Sequence, residues 1–136
     1  GRITAIDLNA GELLWQVAHG ETADRVRDHP ALQDFDIPRT GRVGRVGTLV
    51  TKTLVIAGDG GVFTSADERQ GARLRAYDKM TGQEIDAVFM PSSQTGSPMT
   101  YSIDGVQYIV VAVGGGTYAG ELLAYRLPES EDNGGA

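Results

Sequence analysis

The sequence predicts an all-β fold, a partial β-propeller of about two and a half four-stranded antiparallel blades. Three observations predict it. Residues 3–15 recur as residues 74–85, with a shorter echo at 122–127. Within each full copy apolar and polar positions alternate with the period of a half-buried strand, and a glycine-bearing turn follows. The later copies, beginning at Leu74 and Leu122, stand 48 residues apart, in keeping with the roughly 40–50 residues of a four-stranded propeller blade. Such a sheet hides its faces only by stacking between neighbours. Strand density alone would also permit a self-contained β-sandwich, but the repeat matches in residues as well as in strands.

Residues 1–17 read as the end of one blade: a strand over 3–7, a tight turn at Asn9-Ala10-Gly11, and a returning strand over 13–17. The turn keeps glycine in both copies, as Gly11 and Gly82, because only glycine enters the left-handed region freely. Residues 18–40 are polar, carry Pro30 and Pro38, and read as an excursion loop. Within it, residues 21–27 place charges at helix-neighbour spacing, enough for a turn or two of helix that needs packing to persist. His19 and His29 have no companions at metal-ligand spacing and read as structural. Residues 41–90 read as a complete blade. Its Leu54-Val55-Ile56-Ala57 run suits a strand buried on both faces, and Gly58-Asp59-Gly60-Gly61 breaks it. Gly44-Arg45-Val46-Gly47 lacks the following helix that a phosphate cradle needs. Residues 96–127 supply three strands of the closing blade, with a hairpin signal at Asp104-Gly105 and a strongly apolar strand over 108–113 that Gly114-Gly115-Gly116 ends. Two and a half blades cannot close a ring, so the chain is expected to be a fragment whose remaining blades lie elsewhere, or to assemble in copies. Residues 129–136 read as an acidic flexible tail.

Twelve basic and eighteen acidic side chains give a net charge of -6, which argues against a nucleic-acid partner because phosphate binding needs a concentrated positive patch. Arg39, Arg42 and Arg45 lie close together but read as solvated surface. With no cysteine there is no disulfide, thiolate metal site or cysteine nucleophile. No apolar run approaches the ~20 residues of a membrane span, and the first residues carry no signal-peptide pattern.

The ordered series Ala5-Ile6-Asp7, Gly11-Glu12, Trp15-Gln16-Val17, Thr40-Gly41, Leu54-Val55-Ile56-Ala57-Gly58, Arg75-Ala76-Tyr77-Asp78, Thr81-Gly82, Ser97-Pro98-Met99-Thr100-Tyr101, Asp104-Gly105 and Ala124-Tyr125 with Leu127-Pro128 resembles the carboxy-terminal part of quinoprotein dehydrogenases. It is most similar to the glucose dehydrogenase type, whose eight-bladed propeller binds pyrroloquinoline quinone (PQQ). The resemblance implies oxidation of a sugar or alcohol by hydride transfer to the quinone, a calcium ion polarising the quinone carbonyl, a quinone or cytochrome electron acceptor, and a periplasmic or periplasm-facing membrane-associated location. A fragment alone is expected to be inactive. The implied cofactor position, near the propeller axis, makes Arg45, Gly47, Gln94, Gly115 and Thr117 the candidate cofactor-binding residues. Arg45 is singled out because a guanidinium can bind a PQQ carboxylate bidentately. No catalytic or metal-binding residue is placed in this chain, since the resemblance puts those in earlier blades.

Two departures favour an alternative, a non-catalytic propeller serving as a binding or assembly scaffold. Where relatives carry asparagine, an aromatic and two glycines, this chain has Gly44-Arg45-Val46-Gly47. Its loop at Gly116-Thr117-Tyr118-Ala119-Gly120 is also shorter and has no histidine. Trp15 reads as an inter-blade anchor. Asp7 and Asp78, repeated at one motif position, read as turn caps and not as catalytic carboxylates.

Overall fold

A computed structural model describes residues 1–64 and 68–126; the expected acidic tail at 129–136 lies outside the described residues. The first element is a hairpin of β1 (Arg2–Asp7) and β2 (Glu12–Ala18). Its turn is closed by Asp7, whose Oδ1 accepts from the backbone N–H of Asn9 at 2.8 Å and of Ala10 at 3.1 Å, while Gly11, at φ 69°, donates to the Asp7 carbonyl. The same turn joins β6 (Gln70–Asp78) to β7 (Glu84–Met90). There Asp78 Oδ1 accepts from Met80 at 2.9 Å and Thr81 at 2.8 Å, and Gly82 sits at φ 74°. Even the register slips coincide, at Ala5/Ile6 and at Ala76/Tyr77. A repeated sequence has produced a repeated bulge, because turn and bulge are set by local backbone demands.

The second sheet runs β3 (Leu49–Val50), β4 (Leu54–Gly58), β6 and β7, each antiparallel to the next, and a short β5 (Phe63–Thr64) pairs with the start of β6. The third sheet contains β8 (Met99–Ile103), β9 (Val106–Gly115) and β10 (Tyr118–Arg126), in the order β10-β9-β8. The β8–β9 turn is Asp104-Gly105, both at positive φ. The strands exceed the sequence expectation. β6 starts at Gln70 instead of Leu74, and β9 continues through Gly114 and Gly115 where a break was expected. Glycine weakens a strand without ending it when a partner strand remains: Tyr118 pairs with Gly115, and the backbone of Gly120 lies within contact distance of a Cβ placed on Gly114.

Strand alternation divides β6 between two neighbours. Ala72 and Leu74 join Ile56 and Met90 in a core completed by Val111 and Val113 of β9, with Leu123 and Tyr125 packed against it. This core lies between the second and third sheets. Arg75 and Tyr77, of opposite parity, face residues that follow the first hairpin. Trp15 ties that hairpin down: its Nε1 donates to the Lys79 carbonyl at 3.0 Å, and its ring lies against Gly82. The expected inter-blade role of Trp15 is thus seen directly. In the excursion, α1 (Asp24–Arg27) is one helical turn, followed by a 3-10 turn at Pro30–Leu32 whose Ala31 N–H donates to His29 Nδ1.

Candidate functional site

The hairpin turns at Gly11, Gly82 and Gly105 lie at strand ends opposite to the chain segments linking one sheet to the next. Those linking segments converge. The Arg42 N–H donates to the His19 carbonyl, Gln94 N–H to the Asp59 carbonyl, and Gly114 N–H to the Ser93 carbonyl. Backbone also meets backbone at Gly44 and Gly60, where an added Cβ would stand 2.8 Å or less from the opposing Cα. Close approach of this kind needs glycine on both sides.

All five candidate residues belong to this end, in different settings. Gln94 is buried, with Oε1 accepting from the Gly58 N–H at 2.6 Å and Nε2 donating to the Gly47 carbonyl at 2.8 Å. Gln94 therefore joins two of the candidates, itself and Gly47, and stitches the segment before β3 to the end of β4. A Cβ on Gly47 would collide with Ser97, so this position is already filled by protein. Arg45 is exposed. Gly115 ends β9 at φ 115°, near the Ser93 hydroxyl, which donates to the Gly114 carbonyl at 2.9 Å. Thr117 is exposed in the β9–β10 turn beside Tyr118, whose hydroxyl bonds Glu121.

The densest chemistry at this end was not anticipated. Arg75 and Asp59 are each 1% exposed and form a two-point pair: Nε to Oδ1 at 2.9 Å and Nη2 to Oδ2 at 3.3 Å. Arg75 also reaches Glu84 at 2.9 Å and Glu21 at 3.1 Å, and Glu84 receives Arg39 at 2.6 Å. Burial works against the charge on Arg75, but the hydrogen bond and charge of Asp59, then Glu84 and Glu21, hold it above its ordinary pKa. Burial likewise opposes ionisation of Glu84, and the Arg39 hydrogen bond with the Arg75 charge outweighs it, leaving the carboxyl below its usual value.

His19, beside this cluster, bonds the Tyr77 hydroxyl through Nδ1 at 2.8 Å and the Gly58 carbonyl through Nε2 at 3.0 Å. A carbonyl can only accept, so Nε2 carries the hydrogen and Nδ1 accepts from Tyr77. Burial lowers the His19 pKa and raises that of Tyr77. The strand pattern held one clue: Arg75 occupies the same face of β6 as Tyr77, an inward position where a charge must have partners. What it could not give was the partners, Glu21, Asp59 and Glu84, drawn from three other segments.

Arg42, expected as solvated surface, is instead largely buried, with its side chain 18% exposed. It separates a cleft of about 490 Å³, bordered by Ala23, Asp24 and Val43, from one of about 200 Å³, bordered by Phe63, Thr64 and Arg73. Its Nη1 donates to the Val62 carbonyl at 3.2 Å and its guanidinium lies 5.8 Å from the Phe63 ring centroid. Its Nε and Nη2 are buried without a hydrogen-bond partner among the described residues, and Asp24, at 3.7 Å from Nη2, is too distant to supply one. A buried charged donor left in this state costs about 1–3 kcal/mol or more.

The family model for the β-propeller domain of glucose/ethanol/alcohol dehydrogenases, a PQQ family, matches residues 1–109. Quinoprotein glucose dehydrogenase A of Acinetobacter calcoaceticus is 30% identical over 136 residues, which cover 96% of this chain and 16% of the relative. The glycerol dehydrogenase large subunit of Gluconobacter thailandicus is also 30% identical, over 96% of this chain and 17% of its own length. A 1-butanol dehydrogenase (cytochrome c) of Thauera butanivorans is 42% identical over 67 residues, 48% of this chain and 9% of that protein. The chain thus spans about a sixth of the first two relatives.

Proposed function

The chain belongs to the β-propeller family of PQQ glucose/ethanol/alcohol dehydrogenases, and we propose that it is the carboxy-terminal part of a dehydrogenase that oxidises a sugar or an alcohol. What supports this reading is the family match over residues 1–109, together with Gln94, which bonds Gly47 and Gly58 at the end of the blades where the inter-sheet segments meet. PQQ bears carboxylates, and the exposed guanidinium of Arg45 suits one of them. When bound, the quinone supplies the hydride acceptor, and calcium would polarise its carbonyl. The described residues contain no group of three or more side chains suited to a metal ion, so on this reading the calcium ligands come from other blades.

This chain's contribution is orientation. Arg45 would hold a carboxylate, and Thr117 would offer a hydroxyl at the rim. Gln94 keeps the wall in place by bonding Gly47 and Gly58, so its role is positioning. The reading includes a quinone or cytochrome as electron acceptor and a periplasmic or periplasm-facing location. Among the described residues no helix is long and apolar enough to cross a membrane; cell fractionation tests the location.

The test uses the full-length protein, with PQQ and calcium added, and follows dye reduction with glucose, glycerol and 1-butanol. Turnover with any of them, reduced at least ~10-fold by Arg45→Gln through a weaker PQQ affinity, is expected. Absence of both PQQ binding and turnover favours the second reading, a non-catalytic scaffold. One observation supports that alternative: both ends of the Gln94 amide are bonded to backbone and Ser97 fills the space at Gly47, so this part of the wall is closed by protein.

A further inference from the structure

We propose that the cleft between the excursion and β5 is a binding site for a small oxyanion, a carboxylate or a phosphate, held by Arg42 and Arg73 and guarded by Asp24. Arg42 is the centre of the argument. Its side chain is 18% exposed, and its Nε and Nη2, the two nitrogens along one edge of a guanidinium, have no hydrogen-bond partner among the described residues. That edge is the one a two-oxygen anion engages with parallel hydrogen bonds.

The rest of the guanidinium is fixed. Nη1 is held by the Val62 carbonyl, and Phe63 lies 5.8 Å from Arg42 and 5.9 Å from Arg73, so one ring organises both cations. Thr64 lines the same cleft.

The nearby carboxylates, Glu21 and Asp24, leave the open edge of Arg42 without a hydrogen bond. Glu21 directs Oε1 to Arg75, and Asp24 Oδ1 is engaged by Arg27 at 2.8 Å. Asp24 nevertheless stands 3.7 Å from Arg42 Nη2, and its side chain is 57% exposed. The unpartnered edge is sealed from solvent, so an incoming anion reaches it by displacing the Asp24 carboxylate, an exposed group that Arg27 already holds on its other side. Asp24 is a built-in competitor. The consequence runs against ordinary expectation, because removing an ion-pair partner of Arg42 should strengthen the site.

Titration calorimetry on the full-length protein at constant ionic strength, with inorganic phosphate in one arm and acetate in the other, tests the proposal. The expected result is saturable uptake in at least one arm, the tighter arm identifying the ligand class. Asp24→Asn should tighten it about 3- to 10-fold, Arg42→Gln should weaken it at least 10-fold, and Arg73→Gln several-fold. If Arg42→Gln does not fold, Arg42→Lys replaces it, retaining charge without the two-point edge, with an expected loss of several-fold. No saturable uptake of either anion overturns the proposal. So does an Asp24→Asn protein that binds no more tightly than wild type, or binding indifferent to the Arg42 and Arg73 substitutions.

Discussion

Arg75 holds four segments of chain through one guanidinium, and its worth lies in the cost of breaking the set. Arg75→Gln leaves the buried Asp59 carboxylate with one hydrogen-bond donor among the described residues, the Arg73 N–H. Removing one partner of a buried pair typically costs about 3–5 kcal/mol. The expected loss in denaturant unfolding of the full-length protein is of that size, and Asp59→Asn in the same background should recover part of it by removing the stranded charge. If the single and double variants are equally unstable, Asp59 is not what Arg75 neutralises. His19 supplies a pH dependence of definite sign. Its folded pKa is depressed, first by burial and against the opposing effects of Gly58, Asp59 and Glu84. The unfolded chain therefore takes up a proton that the folded one refuses as the pH falls below about 6.5. Stability from this group is complete above that pH and declines below it. Glu84, also depressed, adds a loss in the same direction at lower pH, below its ordinary value near 4.5. Melting temperature between pH 7.5 and 5 should fall in the wild type and fall less in His19→Gln. A slope unchanged by the substitution would remove His19 from this account.

At the scale of elements, the two copies of the Asp-to-Gly turn form a matched experiment. Gly11 and Gly82 share the left-handed backbone, at φ 69° and 74°, but a Cβ on Gly11 meets nothing within 4 Å, whereas one on Gly82 stands 2.6 Å from the Trp15 ring. Gly11→Ala should cost only the backbone conformation, about 1–2 kcal/mol. Gly82→Ala adds the displacement of an indole that joins two sheets, for another ~1–3 kcal/mol, and should raise Trp15 fluorescence exposure as Gly11→Ala does not. Equal costs would mean that the ring yields freely. The contrast also explains what could be read in advance. Asp7, Gly11, Asp78 and Gly82 were legible because a turn's demands are met within a few residues, so the reason for each residue type sits beside it in the chain. The seam formed by Arg75, Asp59, Glu84, Glu21 and His19 was not, because a buried charge is explained by partners that topology brings from far away in sequence. The candidate wall falls between these cases. Arg45, Gly47 and Gln94 were expected near the propeller axis from the resemblance, but nothing in Gln94 announces that both ends of its amide are taken by the backbone of Gly47 and Gly58.

For the whole molecule, the decisive feature is a face of the third sheet that leaves large apolar side chains exposed among the described residues. Strand alternation and pairing put Met99, Val110 and Ala124 in one cross-strand row, with Leu122 on the same face, opposite the face where Val111 and Val113 join the core. Tyr101 and Tyr108 stack at 5.2 Å on it. Met99, Ile103 and Leu122 are exposed, Leu122 to 73%, and at the far end of the chain's array Ile6 and Leu14 are exposed on the first hairpin. A contiguous apolar face of this kind marks an interaction surface, and in the proposed full-length propeller the neighbouring blades cover it. That makes one substitution pair informative in two settings. In residues 1–136 prepared alone, the two ends differ and can meet head to tail, giving open-ended association, so Met99→Lys with Leu122→Lys should lower the sedimentation-average mass while far-ultraviolet dichroism stays the same. In the full-length protein the same pair would bury two unpartnered ammonium groups against a neighbouring blade, and should lower stability by several kcal/mol. Opposite effects in the two settings are the expected outcome. A full-length protein that accepts both lysines without loss would mean that no blade packs there, and the face would then have to be open in the assembled molecule.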